Sequence, residues 1–296
     1  MFARSLALTA RQNNALLNHN HKLMRTRNLA KMTHFGYRSV PEEDKERLVG
    51  HVFESVSSQY DLMNDLMSAG VHRLWKDAFV HAIGVKEIGG SGLQVLDVAG
   101  GTGDIAFRIA KEMQKSTSAT SPAQATEPPR LVVCDINKAM LEQGRLRAER
   151  EHKAAAQAAA MEWVTGDAEQ LPFEDNAFDV YTIAFGIRNV THIDRALAEA
   201  RRVLRPGGRF LCLEFSQVTN PMLRAAYERY SFEVIPKIGA AVANDRASYQ
   251  YLVESIRRFP DQETFSQMIR DSGLRCVQHT NLTNGVVAIH SAVKLG

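Results

Sequence analysis

Between residues 93 and 215 short β-rich runs alternate with helical patterns, and no other feature restricts the fold as strongly. LQVLDV (93–98), LVVC (131–134), EWVT (162–165), FDVYTIAF (178–185) and RFLCLEF (209–215) read as strands. The helix after Gly103 places Ile105, Ala106, Ile109, Ala110 and Met113 at helical spacing. A second helix is capped by Asn137 and runs to about residue 153; a third is capped by Thr191 and presents Ile193, Leu197, Ala200, Val203 and Leu204 on one face. Strands that alternate with helices pair in parallel through right-handed crossovers, so a doubly wound α/β sheet is predicted. Pro206-Gly207-Gly208 reads as a tight turn. The C-terminal stretch LRCVQHTNLTNGVVAIHSAVK holds two β-rich runs around Asn284-Gly285, the signature of an antiparallel hairpin that closes the sheet.

Two segments interrupt this pattern. KSTSATSPAQATEPP (115–129) is small, polar and Pro-containing, and a disordered surface insertion is expected there. EHKAAAQAAAM (151–161) is Ala-rich and is expected to extend a helix. Residues 1–40 carry seven Lys/Arg and no acid around an apolar start, the composition of a mitochondrial presequence or of a disordered basic tail. The expected division is therefore a leader over 1–40 and a catalytic domain over 41–296. Without the leader, 29 basic residues face 33 acidic ones, which disfavours nucleic acid as a partner. No apolar run approaches the ~18 residues of a membrane span. Cys134, Cys212 and Cys276 lack CxxC spacing and read as core hydrophobes, and no metal site is expected.

The turn VLDVAGGTGD (95–104) raises the question of ligand. Gly101, Gly103 and Ala106 satisfy the weak G-x-G-x-x-A pattern of dinucleotide sites, so an oxidoreductase is one candidate. Asp97 sits two residues before the turn, where it can meet an ammonium group or water, an unusual place for an acid in a dinucleotide site. The other acids fall where S-adenosylmethionine needs them. Asp135 ends the second strand and can accept from both ribose hydroxyls. Asp167 follows the third strand and offers a carboxylate to the adenine amino group, with small Ala168 leaving room for the ring. Gly101 and Gly103 permit close backbone approach, and Thr102 can bond near the methionine carboxylate. Competing structural roles are a turn cap for Asp97, a pair with Lys138 for Asp135 and a loop cap for Asp167.

YDLMNDLMSAGVHRLW (60–75), VLDVAGGTGD, GDAEQLPFEDNAFD (166–179), FGIRNV (185–190) and RVLRPGGRFLCLEFS (202–216) together resemble the ubiquinone/menaquinone biosynthesis C-methyltransferase family, from about Lys45 to Lys294. The first and last motifs are specific to that family; the middle ones are shared by many class I methyltransferases. The resemblance implies the class I S-adenosylmethionine-dependent fold, Rossmann-like with the C-terminal hairpin. It also implies methyl transfer to a ring carbon of a polyprenylated benzoquinol in ubiquinone synthesis. The leader points to the mitochondrial branch, as a peripheral protein on the matrix face of the inner membrane. Other ubiquinone-biosynthesis proteins and a second copy of the chain are its expected partners, and a non-catalytic subunit of such an assembly is the alternative function.

A hydroquinone pushes electron density onto its ring carbon, so the protein has to orient the methyl donor and assist proton removal. Arg188, at a strand end, is the candidate cation for developing phenolate, with Asn189 orienting it; a salt bridge to a site carboxylate is the competing role for Arg188. Tyr60, Asn64 and His72 are candidate substrate residues, although packing or capping is as good a role for His72. Leu62, Met63, Leu66 and Met67 suggest a lid. Residues 217–258, rich in apolar and aromatic side chains, are expected to cover a polyprenyl tail, with ordinary core packing as the competing role, and Arg224, Arg229, Lys237, Arg246, Arg257 and Arg258 are available to lipid headgroups.

Overall fold

The computed structural model describes residues 31–56, 64–65, 68, 70–88, 92–117, 129–237 and 245–296. Strands β1 (Met32–Phe35) and β2 (Arg38–Pro41) form a hairpin, followed by helices α1 (Glu42–Val56), α2 (His72–Ile83) and the short α3 (Val85–Ile88). The alternating part comprises β3 (Gln94–Val98), α4 (Asp104–Thr117), β4 (Arg130–Asp135), α5 (Lys138–Glu151), α6 (Lys153–Ala158), β5 (Met161–Thr165), β6 (Phe178–Ala184), α7 (Ile193–Val203) and β7 (Leu204–Phe215). The chain closes with α8 (Pro221–Arg229), α9 (Arg246–Arg258), α10 (Gln262–Asp271), β8 (Arg275–Leu282) and β9 (Val287–Val293).

The seven-stranded sheet has the order β5-β4-β3-β6-β7-β9-β8. Its first five strands are parallel and the last two pair antiparallel, as the pattern and Asn284-Gly285 require. The chain winds outward from β3 to β5 and then returns to lay β6 on the other side of β3. The turns after β3 and β6 therefore diverge from a switch point, which is where such sheets bind ligands. Leu96, Val95, Val132, Val133, Ile183 and Leu211 are fully shielded from solvent on the two faces of the sheet, as expected of strands covered on both sides.

The 32–41 hairpin packs on the body of the protein: Phe35 stacks on Tyr251 with centroids 4.1 Å apart, and Val40 and Val52 complete that cluster. Several expectations are corrected. The cap of α7 is His192, whose side chain makes no capping bond to the helix amides; Thr191 is displaced from that role because the Glu169 carboxylate reaches both Thr191 N and His192 N at 2.9 Å. The Ala-rich segment does not extend α5 but forms a separate α6 after a break at His152. The Pro206-Gly207-Gly208 turn is absorbed into β7 as an irregularity, with Gly207 at φ 84°. Cys276 is exposed in a bulge of β8, unlike buried Cys134 and Cys212. Of the expected insertion, 115–117 finish α4, and 118–128 lie outside the described residues. So do residues 1–30, Tyr60, and the lid residues Leu62, Met63, Leu66 and Met67. Among the described residues no helix is long and apolar enough to cross a membrane.

Candidate active site

A cavity opens at the C-terminal ends of β3, β4, β5 and β6, roofed by α1 and α2. The turn after β3 forms its floor. Ala99 takes a left-handed φ of 52°, and so does Phe185 (φ 56°) in the facing turn after β6. Such a conformation in non-glycine residues stores strain and is concentrated at binding sites. The two turns touch: a Cβ on Gly186 would come within 2.4 Å of the Ala99 Cβ, so the position after Phe185 is closed to any other residue without movement. Gly101, at φ 53°, similarly meets Met140.

Each acid expected at the site is in the cavity wall. Asp97 is 1% exposed; Thr182 Oγ1 donates to its Oδ1 at 2.7 Å, while Oδ2 has no partner. Burial pushes its carboxyl up to about 7. It therefore does not cap the turn. A buried carboxylate oxygen without a donor is costly unless a ligand supplies one, and a primary ammonium is a suitable donor. Asp135 does not pair with Lys138. Its oxygens instead accept from Gly101 N at 2.9 Å and Asn137 N at 2.8 Å, which ties the glycine turn to the start of α5. Burial raises its carboxyl and those amides oppose the rise. Each oxygen keeps lone-pair capacity for a hydroxyl donor. Asp167 does cap its loop, through Glu169 N to Oδ1 at 2.9 Å, but it also faces the cavity beside Ala168. Thr102, Gly100 and Gly101 line the floor. Paired acids, close backbone and a small residue at the adenine end fit S-adenosylmethionine.

The far wall is less as expected. Arg188 is 6% exposed and does not line the cavity; it forms a salt bridge with Glu214 on β7 at 2.8 Å and lies over the Phe215 ring. The guanidinium also donates to Phe185 O, so it braces the strained turn from behind. Burial raises the Glu214 carboxyl, with Arg188 pulling the other way. Asn189 does reach the cavity, but its Oδ1 accepts from Tyr251 on α9 at 2.9 Å rather than orienting Arg188. His72 is buried and bonded through Nε2 to Asp65 Oδ1 at 2.9 Å, outside the cavity wall. Asn64 also lies off the wall, and its carbonyl accepts from Ser68 Oγ.

Sequence spacing missed three residues. Lys76 on α2 lines the cavity and bonds Asp104 at 2.6 Å. Lys45 on α1 is 1% exposed, donates to Val190 O at 2.9 Å and is pulled down to about 8 by burial, which Glu169 partly offsets. Glu169 lines the cavity and accepts from the α7 entry and from His192 Nδ1. Only proximity to a recognised motif could have suggested them.

Comparison with known proteins agrees with this geometry. The model of the ubiE/COQ5 methyltransferase family matches residues 41–294. The mitochondrial 2-methoxy-6-polyprenyl-1,4-benzoquinol methylase of Danio rerio is 54% identical over 284 residues, covering 89% of this chain and 84% of its own. The ubiquinone/menaquinone biosynthesis C-methyltransferase UbiE of Paracoccus denitrificans is 57% identical over 265 residues, covering 90% and 98%. Among solved structures, human N-acetylserotonin methyltransferase in complex with S-adenosylmethionine superposes with a TM-score of 0.54 at 15% identity, over 85% of this chain and 60% of that one, a likeness of fold. The chain belongs to the ubiE/COQ5 methyltransferase family.

Proposed function

We propose that the chain methylates a ring carbon of a polyprenylated methoxy-benzoquinol in ubiquinone biosynthesis. The observation that carries this is one cavity lined by Asp97, the glycine turn, Asp135 and Asp167 together with Phe185, Gly186 and Asn189 of the turn after β6. S-adenosylmethionine supplies the electrophilic methyl group. Asp135 holds the ribose, Asp167 and Ala168 the adenine, Asp97 the ammonium, and Thr102 with the Gly101 backbone the amino-acid end; Gly103, expected there as well, lies off the cavity wall with its amide bonded to Gly100 O. These contacts fix the donor so that a reactive ring carbon has one direction of approach.

The reduced ring is the nucleophile, since only the hydroquinone oxygens donate electron density to the carbon. Asn189 faces the ring oxygen. Arg188 steadies the turn and, as the nearest guanidinium behind it, favours negative charge on that oxygen through water. Its charge is shared with Glu214, so its electrostatic contribution is smaller than that of a free cation.

The cover segment divides in two. Tyr249, Tyr251, Leu252 and Ile235 are buried in the body, whereas Met222 (84% exposed), Leu223, Phe232 and Val234 face outward with Arg224 and Arg229 nearby in sequence. The outward half is assigned to the membrane surface from which a lipid-tailed substrate is taken. Residues 1–30 are assigned to a mitochondrial presequence, removed ahead of the 32–41 hairpin. Matrix-face location, assembly with other ubiquinone-biosynthesis proteins and a homodimer complete the proposal.

Single-turnover transfer of label from S-adenosylmethionine to a short-chain, reduced 2-methoxy-6-prenyl-benzoquinol tests it. Labelled ring product is expected, with much less from Arg188→Ala. Tight binding of S-adenosylmethionine without product, in the presence of the candidate partner proteins as well, would move the chain to a structural role.

A further inference from the structure

Charge around the cavity is lopsided. Six acids line it (Glu46, Asp97, Asp104, Asp135, Asp167 and Glu169), and Lys76 is the one cationic side chain among the described lining residues. S-adenosylmethionine bears a sulfonium and an ammonium, which acids suit, and also an α-carboxylate, which they repel. A carboxylate brought into this wall needs a cation beside it or it loses more solvation than it regains.

Lys76 is built for such a duty. It lies on α2 between buried Trp75, whose indole N–H is anchored to Thr283 Oγ1 at 2.7 Å, and the face that packs on α4. Its side chain is 5% exposed. Its Nζ reaches across to Asp104 Oδ2 at 2.6 Å, and Asp104 is the first residue of α4, directly after the glycine turn. Burial would raise the Asp104 carboxyl, but the Lys76 ammonium and Arg108 outweigh it and hold it below the usual range. An ammonium carries three donors, and Asp104 is the partner the structure gives it among the described residues. Asp104 follows Gly103 directly, so that tether ties Nζ to the C-terminal edge of the glycine turn, and Lys76 lines the same cavity as Gly100, Gly101 and Thr102.

We propose that Lys76, tethered by Asp104 over the glycine turn, is the residue that binds the α-carboxylate of the methyl donor. It rests on the assignment of S-adenosylmethionine to this cavity. A cation there also selects for the intact amino-acid end of the ligand: a nucleoside without that end gains nothing from Lys76.

Two ligands separate this role from a purely structural one. S-adenosylhomocysteine keeps the ammonium and carboxylate, and 5′-methylthioadenosine keeps only the nucleoside and thioether. Calorimetric titration of the full chain with each is expected to show that Lys76→Met weakens S-adenosylhomocysteine binding ~10- to 100-fold, as for loss of a charge-assisted hydrogen bond, while 5′-methylthioadenosine binding stays within about threefold. Lys76→Arg should restore most of the loss. The melting temperature of each variant reports folding separately.

Equal losses for both ligands would make Lys76 a strut between α2 and α4 and overturn the proposal. So would unchanged affinity for both, with or without a raised KM for the quinol. If the wild-type chain binds neither ligand, the assignment of S-adenosylmethionine itself fails, and this is distinguishable from failure of Lys76 alone.

Discussion

The two ends of the cavity are built by different means. At the donor end the side chains lie within a few residues of a strand terminus, and their bonds stay within a turn or cross only to a neighbouring strand end: Asp135 to Asn137 N and Asp167 to Glu169 N locally, Asp135 to Gly101 N and Asp97 to Thr182 between adjacent strands. At the ring end the bonds span the chain: Tyr251 to Asn189 across 62 positions and Lys45 to Val190 across 145. A site that closes from local turns survives changes elsewhere in the molecule. One assembled from distant elements is as stable as the packing between them, and is the part most open to change of substrate.

Glu214→Ala should break the comparison most severely. It leaves the Arg188 guanidinium buried and uncompensated, and loss of one partner of a buried pair costs about 3–5 kcal/mol. Urea unfolding should show it, and Arg188→Met/Glu214→Leu should recover much of the stability. A midpoint unmoved by Glu214→Ala would mean that water reaches the pair.

Asp135→Ala should act on the donor end alone, lowering S-adenosylhomocysteine affinity by ~100-fold or more, since it removes the ribose acceptor and the tether of the glycine turn. Phe35→Ala should do the reverse. Loss of the ring stacked on Tyr251 is expected to cost about 2–4 kcal/mol in stability, with donor affinity within about threefold and KM for the quinol raised. If Phe35→Ala leaves stability unchanged, the 32–41 hairpin is not part of the folded unit.

A milder test is pH. The folded-state carboxyl of Asp97 lies at about 7 against an unfolded 3.8, so between those values the folded chain holds a proton the unfolded chain does not. Its ionisation therefore costs stability increasingly as pH rises from about 4, fully above about 7. A bound ammonium reverses the preference. Affinity for S-adenosylhomocysteine should rise by about fivefold between pH 6 and 7, by about twofold more towards pH 8, and level off above that, and Asp97→Asn should flatten the profile. A flat wild-type profile would show that Asp97 is ionised before the ligand arrives.

The smallest effect is expected at the outward face of α8. Met222→Ser should leave stability within about 0.5 kcal/mol while reducing retention on vesicles that contain anionic lipid. Equal retention of variant and wild type would place the membrane contact elsewhere.

What the sequence by itself determined is local. The order of strands and helices, the closing hairpin, the glycine turn and the acids at Asp97, Asp135 and Asp167 all follow from spacing over a few residues, because side-chain period and turn chemistry act at that range. The tertiary structure alone decided which of those groups are satisfied and by what. Asp97 Oδ2 is left without a partner, Asp135 is spent on two backbone amides, and Arg188 is drawn into a pair with Glu214, 26 positions away. It also raised Lys45 and Lys76 from unremarkable helix positions to buried cations at the site. A charge's worth depends on its burial and its neighbours, and both are set by packing between elements far apart in the chain.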